Sequence, residues 1–129
     1  MAITIDTHPF VWHLDKKQNH KLSQKAKNAI DHEIKNGLIY IPIIVLTELL
    51  HISEKGRIKL DLDKVLSIIN ESEAYEIIPF DIEIFKIVEK LKNLETHDRI
   101  ISATAIFKKS KLITKDSEIH DNQNIETIW

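Results

Sequence analysis

The feature that most restricts the fold of this chain is a regular alternation. Short runs of β-branched and other apolar residues trade places with stretches in which apolar residues recur at helical spacing. Ala2 to Ile5 is the first such run and predicts a strand, and Asp6-Thr7-His8-Pro9 after it predicts a turn into a helix. Leu22, Ala26, Ala29, Ile30 and Ile34 then recur on one helical face, with Ser23 placed to cap the start and Asn36-Gly37 to end it. Leu38 to Pro42 predicts a second, fully buried strand. Val45, Leu46, Leu49, Leu50 and Ile52 trace a helix stopped by Gly56, with Glu48 beside that stripe. Leu62, Leu66 and Ile69 mark another helix, with Asp61 or Asp63 as its cap, and Glu76 to Phe80 a third strand. Asp81 caps a helix along Ile84, Phe85, Val88 and Leu91. Asp98 to Lys109 is apolar on nearly all sides and should be the most buried helix. Leu112 to Thr114 and Ile125 to Trp129 complete the strands.

Strands alternating with helices throughout predict an α/β fold, a mainly parallel sheet covered by helices on both faces. With only two glycines, three prolines and no Gly/Ser/Pro-rich stretch, residues 1–129 read as a single domain, and 43% apolar residues supply its core. The absence of cysteine excludes disulfides, thiolate metal sites and cysteine nucleophiles, and fits a cytoplasmic location. The longest apolar run, Leu38 to Leu46, is less than half of the ~20 residues a membrane span needs. Eighteen basic and 20 acidic residues give a net charge of only −2, which does not advertise a polyanion binder. The lysines are nevertheless unevenly spread, crowding Lys16 to Lys27 and Lys108 to Lys115.

Ligands of such sheets bind beyond the carboxyl ends of the strands, where strand order reverses. Four acids are placed to face that edge: Asp6 after the first strand, Glu48 early in the helix after the second, Asp98 at the start of a helix, and Asp116 two residues past Thr114. Gathered carboxylates repel one another unless protons or a cation compensate. An all-oxygen donor set suits a hard divalent ion such as Mg²⁺ or Mn²⁺, which can polarise a phosphodiester and activate water. Each acid also has a plainer role open to it: Asp6 as a helix cap, Asp98 as a first-turn acid favoured by the helix dipole, Asp116 as a turn former with Ser117, and Glu48 as a solvated flank.

In order along the chain, Ile5-Asp6-Thr7-His8, Leu46-Thr47-Glu48-Leu49, Asp98-Arg99-Ile100-Ile101-Ser102-Ala103-Thr104-Ala105 and Leu112-Ile113-Thr114-Lys115-Asp116 resemble the PIN-domain family, in its VapC toxin branch. No single motif is specific, but four in order are. The resemblance spans essentially the whole chain, including the Lys55-Gly56-Arg57-Ile58 turn and the strand ending at Trp129. It implies a PIN-like three-layer α/β/α fold with five parallel strands, the first and fourth adjacent. It also implies Mg²⁺- or Mn²⁺-dependent endoribonuclease activity, neutralisation by a cognate antitoxin protein, and a homodimer, for which Trp12 or Phe10 could supply contacts. Asp6, Glu48 and Asp98 become the principal metal ligands and Asp116 an outer ligand or the group orienting the attacking water. Thr114 and Thr7 would hold those carboxylates by hydrogen bonds. Arg99 is either a phosphate contact or the partner of an ion pair with Asp98. The chain departs from the pattern at Glu95-Thr96-His97, where relatives often carry a proline-containing acidic turn, and at Ser102, where a small apolar residue is common.

Other chemistries find less support. His32-Glu33 has no second histidine at zinc-helix spacing, no serine sits in a glycine-flanked elbow, and two glycines cannot build a phosphate-binding loop. His8 and His97 adjoin proposed ligands and could touch substrate. The competing functional readings are a non-catalytic PIN-like module that binds RNA or protein, and a metal-dependent nuclease acting on DNA, because nothing in the sequence reads a 2′-hydroxyl.

Overall fold

A computed structural model describes residues 2–129. The five predicted strands form: β1 (Ala2–Ile5), β2 (Leu38–Pro42), β3 (Tyr75–Ile78), β4 (Lys111–Ile113) and β5 (Thr127–Ile128). They pair in the order β3-β2-β1-β4-β5, every pairing parallel, so strand order reverses between β1 and β4. Ile3, Thr4 and Ile5 are all buried although they alternate between the two faces of β1, as expected of a central strand covered on both sides. The helices are α1 (Thr7–Leu14), α2 (Gln24–Asn36), α3 (Ile43–Glu54), α4 (Leu62–Glu71), α5 (Ile82–Lys90), α6 (Thr96–Phe107) and α7 (Ser117–His120). The result is the α/β/α arrangement anticipated from the alternation.

Caps explain most helix starts. The Ser23 hydroxyl accepts the Ala26 N–H at 3.1 Å, Asp61 rather than Asp63 accepts at the head of α4, and Asp81 accepts the Ile84 N–H at 3.0 Å. After α3 the chain turns through Gly56 at φ +70°, a conformation that favours glycine. The predicted boundary of α6 is corrected by its cap. Glu95 accepts the His97 N–H at 3.1 Å, so the helix begins at Thr96 and Asp98 lies inside its first turn. Six consecutive residues, Ile100 to Ala105, are buried in α6, the longest such run of any helix.

Other differences trace to tertiary packing. In β2, Leu38 and Tyr40 are half-buried rather than fully buried, and the Lys108 ammonium lies 5.1 Å from the Tyr40 ring centre. The buried stripe of α4 is Val65 and Ile69, while Leu66 is exposed, because the helix docks one residue away from the face that Leu62 and Leu66 share. Leu50 and Phe85 also face outward. β3 starts at Tyr75 and ends before Pro79, which has no N–H to give the ladder. A short 3₁₀ helix, Lys16–Lys21, was not foreseen. Phe10 is fully buried, so it offers no surface for a second chain.

Candidate metal centre

All four predicted acids, Asp6, Glu48, Asp98 and Asp116, line one cleft of about 430 Å³ at the carboxyl edge of the sheet, together with Thr7, His8, Trp12 and Lys115. Asp6 follows β1 and caps α1, its Oδ1 accepting the Thr7 N–H at 2.7 Å. The Asp6 N–H donates to the Ile113 carbonyl at 3.0 Å, which extends the β1–β4 pairing right up to the carboxylate. Its Oδ2 accepts the Thr114 hydroxyl at 2.7 Å across 108 residues of sequence. The same Thr114 oxygen accepts the Asp116 N–H at 3.1 Å. On the other side, the Thr7 hydroxyl donates to Glu48 Oε1 at 2.6 Å. Two fully buried threonines therefore link three acids in the sequence Glu48–Thr7–Asp6–Thr114–Asp116.

Asp98 has no such support. Its carboxyl is pushed up to about 7, first by burial and then by the charges of Asp116, Asp6, Glu95 and Glu48. Asp6 is raised in the same direction by burial, opposed by the Thr114 and Thr7 hydrogen bonds that favour its charged form. The cleft is thus short of positive charge at its centre. Lys115 is on its wall, and the His97 ring nitrogen lies 3.4 Å from Glu48 Oε2.

A hard divalent cation matches this donor chemistry. Four carboxylates and a single imidazole, that of His8, line one space, and the repulsion of the carboxylates is the energy a cation would relieve. Among the described residues no three acidic or histidine side chains already form a group arranged to hold an ion. The carboxylates would have to turn inward, as flexible side chains at a solvent-open cleft can.

Arg99 is turned toward the end of α5. Its guanidinium donates to the Val88 carbonyl through Nε at 3.1 Å and through a terminal nitrogen at 2.7 Å, closing the last turn of α5 onto α6. Residues that sequence reasoning missed act behind the acids. His120 Nε2 lies 2.7 Å from the Thr114 carbonyl, which can only accept, so Nε2 carries the proton and Nδ1 can accept from the Thr127 hydroxyl at 2.7 Å. This ties β5 to the backbone of the threonine that holds Asp6. No sequence signal singles out His120 among seven histidines. In α6, the buried Ser102 hydroxyl has no hydrogen-bond partner among the described residues.

No curated protein is similar enough in sequence to count as a relative. Solved structures are closer in shape. VapBC2 from Rickettsia felis, bound to a DNA fragment from its promoter, is similar at TM-score 0.74 and 22% identity over 98% of this chain and 97% of the other. A toxin-antitoxin complex from Klebsiella pneumoniae is similar at TM-score 0.68 and 18% identity, covering 95% and 94%. DNA-bound VapBC from Salmonella typhimurium is similar at TM-score 0.68 and 15% identity, covering 98% and 96%. At these identities the likeness speaks for the fold. The family model of the PIN domain matches residues 3–124, nearly the whole chain and a stretch that contains the four acids of the cleft, and so the chain belongs to the PIN domain family.

Proposed function

We propose that this chain is a Mg²⁺- or Mn²⁺-dependent endoribonuclease, the toxin of a type II toxin–antitoxin pair, working in the cytoplasm as one domain spanning residues 1–129. The observation that carries the reading is the convergence of Asp6, Glu48, Asp98 and Asp116 on one cleft, two of them held by buried threonines and one raised to about 7 by burial and by the charges around it. Membership of the PIN domain family and the likeness to solved toxin–antitoxin complexes support it. The same reading carries a cognate antitoxin as partner and a homodimer as the assembled form.

On this reading Asp6, Glu48 and Asp98 hold the cation, which when bound supplies positive charge to the scissile phosphate and lowers the pKa of water. Thr114 and Thr7 aim the Asp6 and Glu48 carboxylates, because each donates to a carboxylate oxygen. Asp116, capping α7 through the Ile119 N–H at 3.0 Å, keeps its other oxygen to orient a water toward phosphorus. His97 beside Glu48 can meet the substrate at the rim. Arg99 braces the first turn of α6, where Asp98 sits.

The test is purified protein with structured RNA, in Mg²⁺ or Mn²⁺ and in EDTA, beside Asp6→Asn and Asp98→Asn. Metal-dependent cutting lost in both variants is expected, and equal cutting by parent and variants would remove the site. RNA left intact while both variants still arrest growth would favour the binding module, and cutting of DNA alone the DNA nuclease. A neighbouring open reading frame that neither binds the chain nor rescues growth would end the toxin assignment.

A further inference from the structure

The acidic cleft shares one wall, His8 and Trp12, with a second cavity of about 240 Å³. Lining chemistry reverses across that wall. The cleft carries four carboxylates, whereas the second cavity carries Gln18, Lys21 and Arg57 and no acid. Lys21 and Lys115, one from each lysine-rich stretch, bring their ammonium groups to 6.0 and 5.9 Å from the centre of the Trp12 ring. The aromatic neighbours His8 and Trp129 meet Trp12 tilted by 46° and 58°, so neither ring is laid flat against it. Arg57 follows the Gly56 turn and has no acidic partner among the described residues.

We propose that Trp12 is the stacking platform for the nucleotide adjoining the scissile phosphate, in a subsite formed by the second cavity, where Lys21 and Arg57 hold that nucleotide's phosphate. The inference rests on the nuclease reading and adds to it the residues that set the path of the strand. A phosphate chain crossing four carboxylates needs cationic neighbours on either side, and the second cavity is where the lining supplies them. An indole with ammonium groups 6.0 and 5.9 Å from its ring centre offers a base both a π-system and charge nearby, an arrangement that tolerates any base. A base can lie on Trp12 only when it is unpaired. The subsite therefore selects strands that are single-stranded next to the cut, with no hydrogen-bond readout of sequence.

Binding tests this apart from cleavage. The full-length Asp98→Asn protein is titrated with a labelled, unstructured RNA of about twelve nucleotides and with the same RNA annealed to its complement. Adding Trp12→Leu, which keeps an apolar side chain, is expected to weaken the single strand roughly 10-fold and the duplex less than about twofold. The RNA should quench tryptophan emission in a Trp129→Phe background, in which Trp12 is the one tryptophan left, and unquenched emission there would count against the subsite. Lys21→Gln and Arg57→Gln, both on the surface, should each lower the slope of log affinity against log salt by about 0.7. Unchanged single-strand affinity in Trp12→Leu, equal losses for strand and duplex, or unchanged salt slopes would overturn the subsite. If acid-dependent cleavage holds while these binding effects are absent, the subsite fails alone. If cleavage ignores the acids, the nuclease reading fails whatever Trp12 does.

Discussion

The two ends of the sheet carry cavities of nearly equal size and unequal meaning. At the amino edge, Ala2, Lys111 and Glu126 by the strand starts, with Ala105, Ile106 and Lys109 at and just past the end of α6, enclose about 400 Å³. At the carboxyl edge the acidic cleft encloses about 430 Å³. The amino-edge cavity mixes lysines, one acid and apolar groups. In the carboxyl-edge cleft two carboxyls are raised, and threonines buried beneath it are committed to holding carboxylates. Size does not distinguish them. What does is that a parallel sheet releases all its chains at one edge toward helix starts, where short polar side chains cap and where charge can be concentrated.

The strongest way to break the contrast is to exchange charges at both ends. Asp6→Asn, Glu48→Gln or Asp98→Asn should each lower Mg²⁺-dependent RNA cleavage by roughly 10³-fold, the loss of several kcal/mol of charge stabilisation. Glu126→Gln and Lys109→Ala at the amino edge should change it less than about twofold. Labelled-RNA cleavage time courses decide this, and comparable losses at both edges would dissolve the distinction.

Hydroxyls sharpen it further. Thr114→Val removes the donor to Asp6 and the acceptor for the Asp116 amide, and should cost about 10- to 100-fold in metal affinity, read by Mn²⁺ titration. At the opposite edge, Ser110→Ala breaks the 2.6 Å bond between the Ser110 and Thr4 hydroxyls. It should lower stability by about 1 kcal/mol in urea unfolding and leave metal affinity alone.

The raised carboxyls predict a pH dependence of sign opposite to that of ordinary paired acids. Between the usual aspartate value of 3.8 and about 7, the folded protein holds a proton on Asp98 that the unfolded chain has released. The Asp98 contribution to stability in EDTA should therefore be fullest below about pH 4 and fall as pH rises toward and through 7. Asp98→Asn should flatten that decline and raise the melting temperature at pH 8 by roughly 3–5 °C, while a saturating divalent cation should raise it in the parent far more than in the variant. The smallest effect is expected in α6. Ser102→Ala removes a buried hydroxyl without a partner among the described residues and should be neutral or stabilising, by up to ~1 kcal/mol.

Much of the fold and the candidate site was legible beforehand. Ser23 and Asp81 lie next to apolar runs in positions where a cap makes local sense, Asp6 stands where a cap and a ligand are both open to it, and the four acids stand beside the ends of predicted elements. Arg99 was not legible. Sequence places it beside Asp98, but its long side chain reaches the end of α5, which helix packing alone brings within range. The exposed Leu66 and Phe85 misled for a related reason: helical periodicity gives the width of an apolar stripe, and docking chooses which edge of it is covered.

By itself, the sequence determined the alternation of strands and helices, their caps and the inventory of oxygen donors, because these depend on residues a few positions apart. Tertiary structure decided the rest. Pairing β1 with β4 brings Thr114 to Asp6 across most of the chain, and packing of α6 beside them drives Asp98 up to about 7. Trp12 joins an acidic cleft to a basic cavity only once α1, the Lys16–Lys21 turn and the Gly56–Arg57 turn meet. Burial and the summed field of distant charges exist only in the folded chain, so no local pattern could have announced them.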